Sequence, residues 1–349
     1  MDLKQGEEKL MKNIEIAEML KISPATVSLA LNNKPGVSEE TKKKVFELRD
    51  SLLKRDIDSR SKDRELGTIG LLVFKNRSEI ISDTPFFVQT IDYISSEIIK
   101  RGYEFSIIYS TADDNDSLVE SINPLDLRCL IIVGTEMTKK DVEYFQQHLK
   151  VPFVITDAYF PDCDVDTVLM DNFSGITLSM QYAYKLGHRK IGFLATDKEC
   201  NNFRDRYYAF LSNMNILGLD SEECPIVRLP LGIEESRDKM SEYLRDHSKL
   251  PTVYVADNDR TAMGAMEALK NAGYKVPEDV SIIGFDDMPV VQFLTPSLTS
   301  IRLNQEVIAK TAVERAIQLI DESIFEHNTV QQLVSVGLTV RASVCEPRR

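Results

Sequence analysis

From residue 67 onward, short apolar runs alternate with helical periodicities. IGLLV, FSIIY, CLIIV, VPFVI, KIGFLA, PIVRL, TVYVA and SIIGF are rich in β-branched residues and nearly continuous, as strands buried on both faces are. Between them apolar positions recur at three- and four-residue spacing: Ile91, Ile94 and Ile98 follow Phe87, and Ala262, Ala265 and Leu269 follow Asn258. Strand runs separated by amphipathic helices predict an α/β fold of parallel sheets covered by helices. Two blocks, about 67–170 and 171–297, predict two similar lobes. A returning tail adds a helix over Gln305–Phe325 and a strand VSVGLTV, with 298–329 expected in lobe 1 and 330–345 in lobe 2.

The first 54 residues have a different rhythm. Ile14, Ala17 and Leu20 fall on one helical face, Ile22 sits in a turn, and Val27 and Leu31 continue the apolar seam in a second helix. Ser23 is placed to cap that helix and Pro24 to open it, where a missing N–H costs nothing. A third helix is expected from Ser38, with Glu39 and Glu40 favourable to its dipole and Val45, Leu48 and Leu52 facing inward. Three such helices make either a plain bundle or a DNA-reading headpiece. The polar turns on both sides of one short helix favour the headpiece. Its second helix would then enter a major groove by its N-terminal end, which carries Pro24, Ala25, Thr26 and Ser28. Thr26, Ser28, Asn32 and Lys34 can donate to phosphates, Ala25 and Leu29 offer apolar base contacts, and Lys21 and Ser23 complete the candidate surface.

These residues carry a family likeness. The stretch AxxLxISxATVSxxLN followed by VSEETKKKV resembles the headpiece of the lactose-repressor type (LacI/GalR) family. The likeness continues through IGLLV, TPFF, RGYEFSIIYS, VPFVI, Asp171-Asn172, LGHRKIGFL, NDRTAMGAMEAL, VPEDVSIIGFDD, PSLTSIR and VRAS. It implies a periplasmic-binding-protein-like core with an effector between two lobes, a transcriptional regulator, usually a repressor, and a homodimer on double-stranded operator DNA. Three positions depart from the family pattern. Leu20 and Lys21 replace the usual Ala-Gly of the turn, and Leu29 stands where a polar reader is common. The linker RDIDSRSKDREL at 55–66 lacks the apolar hinge helix that wedges a leucine into the minor groove. A charged tether and a divergent hinge are both open readings of that linker.

Open parallel sheets hold ligands at the carboxyl ends of their strands. Asp157 follows VPFVIT, Asn258 and Asp259 follow VYVAD, Asp286 and Asp287 follow SIIGF, and Arg206 lies in NNFRDRYYAF. Carboxylates, an amide and a guanidinium converging on a cleft suit a polyhydroxylated, carbohydrate-like effector. The resemblance puts Arg206, Asn258 and Asp286 first and Asp157 next. Phe86 and Phe87 open the first long helix, where an aromatic face could stack on a sugar ring. The structural alternatives are that Asp259 and Asp287 cap helices, Phe87 is core, and Arg204 pairs with a neighbouring carboxylate. His188 reads as a satisfied structural histidine.

Charge and composition narrow the classes. The net charge of −13 argues against a general polyanion binder, but residues 9–55 hold ten Lys/Arg against six Asp/Glu, so DNA affinity would rest on a local, salt-sensitive patch. An apolar content of 43% over 349 residues is ordinary for a two-domain soluble chain. No apolar run nears the roughly 20 residues of a membrane span, and MDLKQGEEKL lacks a secretory core, so a cytoplasmic location is expected. The five cysteines show no CxxC and the four histidines no ligand spacing. GxxxxGK[ST], HExxH and GxSxG are also missing, so the chain is read as neither enzyme nor cofactor or metal protein. A cytoplasmic solute-binding protein of the same two-lobed fold, or a regulator answering to a protein corepressor, are the alternatives. The division expected is headpiece 1–54, linker 55–66 and effector-binding core 67–345.

Overall fold

The computed structural model describes residues 17, 19, 20, 22–31, 41–45, 48, 66–75, 80, 85–110, 114–321 and 328–348. The chain divides into two units, Met1–Leu66 and Gly67–Arg349. In the first, a helix spans Pro24–Leu31, and Ala17, Met19, Leu20, residues 41–45 and Leu48 are helical. Ala17, Val27, Ala30 and Val45 bury against one another, with Leu20, Ile22 and Leu48 packed around them. The Thr26 N–H and hydroxyl meet the Ser23 hydroxyl at 3.1 and 2.8 Å, the capping expected of Ser23. Ile14, Leu52 and the whole 55–65 part of the linker lie outside the described residues.

The second unit carries two six-stranded sheets of matching design. One runs β11-β5-β4-β3-β1-β2 and the other β12-β10-β9-β8-β6-β7. The strands of the first are β1 (Thr68–Val73), β2 (Glu104–Tyr109), β3 (Leu127–Val133), β4 (Phe153–Thr156), β5 (Asp166–Met170) and β11 (Gln331–Val334), all parallel. The second holds β6 (Ile191–Thr196), β7 (Ile226–Leu229), β8 (Val253–Ala256), β9 (Ser281–Asp286), β10 (Thr299–Arg302) and β12 (Gly337–Thr339), of which only β12 is antiparallel to its neighbour. Helices cover both faces, so β5, β6 and β8 are buried at every position. In each sheet the order reverses between the first strand and its third-strand neighbour, which opens a crevice at the strand ends.

All eight apolar runs noted above are strands. The tail is divided differently from the expectation. Thr299–Arg302, expected in lobe 1, pairs with β9 in lobe 2, because Leu298 and Ile301 are buried in that sheet's core. VSVGLTV is not one strand: β11 pairs with β5 in lobe 1, and Ser335-Val336 carries the chain across to β12 in lobe 2. The chain thus crosses between lobes three times, after β5, after β10 and after β11. The helix that opens at Gln305 runs to Asp321. It packs against the Pro85–Lys100 helix and against β3, β4 and β5.

A buried ion pair ties this return to lobe 1. Arg315 Nε lies 2.7 Å from Asp166 Oδ1, both nearly inaccessible; Arg315 also donates to the Asn328 carbonyl at 2.8 Å, and the Val330 N–H donates to Asp166 at 2.8 Å. Removing one partner leaves the other charge buried and uncompensated. Arg315→Met should therefore lower the unfolding free energy of the core by about 3–5 kcal/mol, read by urea denaturation. A loss under 1 kcal/mol would show that Asp166 does not rely on it.

Candidate functional site

The strand ends of both lobes face one another around a single guanidinium. Arg206 sits in the Asn201–Leu217 helix and is only 3% exposed. Its Nε donates to Asn172 Oδ1 at 2.8 Å, its Nη1 donates to the Asp257 carbonyl, and Nη1 also lies 3.5 Å from Asp286 Oδ1. The guanidinium carbon stands 3.7 Å from the centre of the Phe285 ring, a stacked cation–π geometry. Phe285 can lie there because the Asn172–Lys185 helix presents Gly175 to it. A Cβ at Gly175 would come within 2.5 Å of that ring.

Lobe 1 contributes Asp157, just past β4, with φ of 64°. Thr135, past β3, donates its hydroxyl to the Asp157 carboxylate. From lobe 2, Asn202 Nδ2 donates to Asp157 Oδ1 at 3.1 Å and to its carbonyl at 3.0 Å, while Asn201 donates to the Tyr159 carbonyl at 3.1 Å. Asn172 Nδ2 in turn donates to Asn202 Oδ1 at 2.8 Å. The lobes are therefore bridged by an amide relay that ends on Arg206. Asp286, the last residue of β9, has φ of 111°, and Asp287 has φ of 51°. Non-glycine residues hold such backbone angles only where the surroundings impose them, and that strain clusters at functional sites.

Ile80, Phe87, Thr135, Asp157, Arg206, Asn258 and Asp286 are among the residues around a cavity of about 50 Å³. Of the expected effector residues, Asp157, Arg206, Asn258, Asp286 and Phe87 thus come together. Phe87 is at the same time a member of the core. Phe86 lies in the Pro85–Lys100 helix, with its side chain outside the described residues. Asn258 has a second duty. It caps the Asp259–Asn271 helix, accepting from the Thr261 N–H at 2.9 Å, and donates to Asp257 at 2.7 Å. The cap is therefore Asn258, not Asp259. Asp259 accepts from the Met288 N–H at 2.7 Å and the Ser300 hydroxyl at 2.6 Å, and Asp287 pairs with Arg341 at 2.7 Å. Among the described residues Arg204 has one carboxylate within ion-pair distance, its neighbour Asp205 at 3.9 Å. His188 is buried between the Thr252 hydroxyl, 2.7 Å, and the Cys345 carbonyl, 2.9 Å, as a structural histidine should be.

Sequence reasoning missed Asn172, Asn202 and Asp257 as members of this cluster. Two signals were available. Asn202 and Arg206 are four apart on one helix face, and Asp257 is the first residue beyond β8. In the headpiece, Ser23 is exposed, Thr26 and Leu29 are half-buried, and Pro24, Ala25 and Ser28 are helical. Lys21, Asn32 and Lys34 lie outside the described residues. No group of three metal-ligating side chains occurs among the described residues, and no helix among them is long and apolar enough to cross a membrane.

The small helical unit and the two-lobed parallel-sheet core each match a known protein domain. Residues 14–52 match the bacterial regulatory proteins, lacI family, and residues 180–344 match the periplasmic binding protein-like domain. The chain thus carries a lacI-family DNA-binding domain ahead of a periplasmic binding protein-like domain. It is 26% identical over 337 residues to the HTH-type transcriptional repressor PurR of Mannheimia succiniciproducens, spanning 95% of this chain and 97% of that protein. In fold it resembles the lac repressor dimer bound to operator and the anti-inducer ONPF, with a TM-score of 0.70 and 20% identity over 95% of this chain and 98% of that one. It also resembles an Enterococcus faecium LacI family regulator with bound ribose, with a TM-score of 0.67 and 21% identity over 80% of this chain and all of the other.

Burial pushes three of the carboxylates up: Asp286 to about 7, and Asp157 and Asp257 to about 6. For Asp286 the Arg206 guanidinium opposes the shift, and Asp157 and Asp257 add to it. A carboxyl whose pKa is raised on folding holds its proton in the native state after the unfolded chain has released it. These groups therefore favour the fold most below the ordinary carboxylate range near 4, and that contribution is lost as pH rises through about 6 to 7. Asp286→Asn should flatten this slope, raising the melting temperature at pH 8 relative to the parent more than at pH 5. An equal shift at both pH values would show that Asp286 does not titrate in this window.

Proposed function

We propose that this chain is a DNA-binding transcriptional repressor whose operator affinity is set by a small polar, sugar-like effector closed between its two lobes. The observation that carries the reading is the interlobe network centred on Arg206. One lobe offers Asp157 and Thr135, the other Asn202, Arg206, Asn258 and Asp286, and Phe87 supplies an apolar wall. Alternating acceptors and donors of this kind suit vicinal hydroxyls, each of which both donates and accepts. The repressor name of the PurR relative and the ribose held by the Enterococcus neighbour support the two halves of the reading.

In this reading Ser23, Pro24, Ala25, Thr26, Ser28 and Leu29, with Lys21, Asn32 and Lys34 beside them, face the operator. A homodimer presents two such surfaces to half-sites about one helical turn, roughly 34 Å, or a multiple of it apart. The effector acts by differential affinity. It adds contacts that exist only with the lobes closed on it, shifting the population of core conformations and with it the DNA-competent fraction.

Genomic fragments selected on the full-length protein, released by a panel of aldopentoses, aldohexoses and disaccharides in a mobility-shift assay, test this. Arg206→Ala should bind the fragments as the parent does but need about ten- to a hundredfold more of the releasing sugar, the loss of one charged hydrogen bond at about 1.5–3 kcal/mol. Retained fragment binding shows that the variant is folded. Release at the parent's sugar concentration would remove Arg206 from the effector site.

A further inference from the structure

The cleft changes character from its floor to its mouth. At the floor Asp157 and Asp286 face Arg206 and Arg260, and the space there, about 50 Å³, is far below the roughly 300–1,000 Å³ of small-molecule sites. A second cavity of about 480 Å³ shares Thr135, Cys200 and Phe203 with the floor and opens outward between the ends of β3, β6 and β7. An effector seated on Arg206 has room to continue into it.

The walls of that outer cavity are cationic and aromatic. Lys198, Arg204 and Arg228 line it with Phe203, Tyr207 and Tyr208. Among the described residues neither Lys198 nor Arg228 has an ion-pair partner, and Arg204 has only its own neighbour Asp205, at 3.9 Å. Arg228 rests over the Tyr207 ring, its guanidinium carbon 5.6 Å from the ring centre, which holds it extended over the cavity. Lys139 on the opposite wall is engaged with Asp162 at 3.6 Å and Glu143 at 3.9 Å. Glu199, exposed on the rim, and Glu136 and Asp257, buried in the wall, are the opposing carboxylates. The two helices that begin here also differ. Lys139–His148 is closed by a Thr138/Asp141 capping box, whereas Asn201–Leu217 begins after Cys200 with no side-chain cap and no acidic residue in its first turn. The positive end of that helix therefore adds to the three side-chain cations.

We propose that this mouth is a subsite for an anionic substituent, so that the effector is a sugar carrying a phosphate or carboxylate on the end that points away from Arg206. The proposal deepens the reading of the cleft as an effector site. The charges at the floor are balanced and leave it to read hydroxyls, while the mouth holds more cations than carboxylates and supplies charge-assisted donors to an anion. The two ends together fix the direction in which the ligand enters.

Inorganic phosphate needs only the mouth, which separates this proposal from the sugar reading. Titrated onto the full-length protein at constant ionic strength, phosphate should raise the melting temperature saturably relative to chloride. The midpoint should move at least about tenfold in Lys198→Ala/Arg228→Ala and stay unchanged in Lys310→Ala, an exposed lysine of the Gln305–Asp321 helix outside the cavity. No saturable effect, or one that the double variant keeps, overturns the subsite. In the mobility-shift assay, glucose 6-phosphate and glucuronate are compared with glucose to tell a phosphate from a carboxylate. If phosphate binds as expected but no sugar of either kind releases DNA, the subsite stands and the effector reading fails. If glucose releases DNA equally from parent and double variant and phosphate does not bind, the effector reading stands and the subsite fails.

Discussion

A guanidinium removed from water and faced by more than one carboxylate is costly unless its donors are matched by acceptors, and the core of this protein is arranged to match those of Arg206. Asn172 accepts from Nε, the Asp257 carbonyl from Nη1, Asp286 lies alongside, and the Phe285 ring covers the flat face. These come from three elements: the start of one helix, the loop after β8, and the end of β9. Gly175 lets the Asn172–Lys185 helix lie close enough for Phe285 to take its place. A shift of any one element by about an ångström would break a hydrogen bond to a buried charge, an error worth about 1–3 kcal/mol. The relative setting of the strand ends in lobe 2 is thus tied to a single side chain.

The same residue sets how the lobes meet. Asn202 lies one helical turn before Arg206, and its amide reaches across to Asp157 in lobe 1. Three chain crossings join the lobes, and the buried Arg315–Asp166 pair anchors the returning segment to the first sheet. Between two sheets so connected, closure is a discrete event in which polar groups either find partners across the cleft or stay hydrated. In the proposed reading a ligand that supplies those partners shifts the balance, and the raised pKa values of Asp157, Asp257 and Asp286 couple it to protons as well.

Much of this was legible along the chain. The eight apolar runs were readable because strands buried on both faces are continuous in hydrophobicity, and the Ser23 cap because its signal is local. DTVLM at 166–170 and TSIR at 299–302 escaped notice, since a short run broken by Asp, Thr or Ser is hard to tell from a loop until a neighbouring strand pairs with it. The tail was misassigned for a related reason. Nothing in VSVGLTV marks the point where the chain leaves one sheet for the other. At the site, strand-end aspartates and Arg206 could be named from their positions. Asn172 and Asn202 could not, because an asparagine in the first turn of a helix is ordinary there and becomes part of the relay only when two helices and a strand end converge.

The order of apolar and polar residues by itself determined the two-unit plan, the parallel sheets, the helix-turn-helix motif and the ends of the strands at which chemistry would collect. These follow from local periodicity and from the burial of one face against another. Tertiary structure alone decided which sheet each tail strand joins, that Asn258 both caps a helix and lines the cleft, and that one arginine must serve several carboxylates. Those outcomes depend on groups far apart in the chain sharing one dry space, where the energy of each charge is set by its neighbours and not by its place in the sequence.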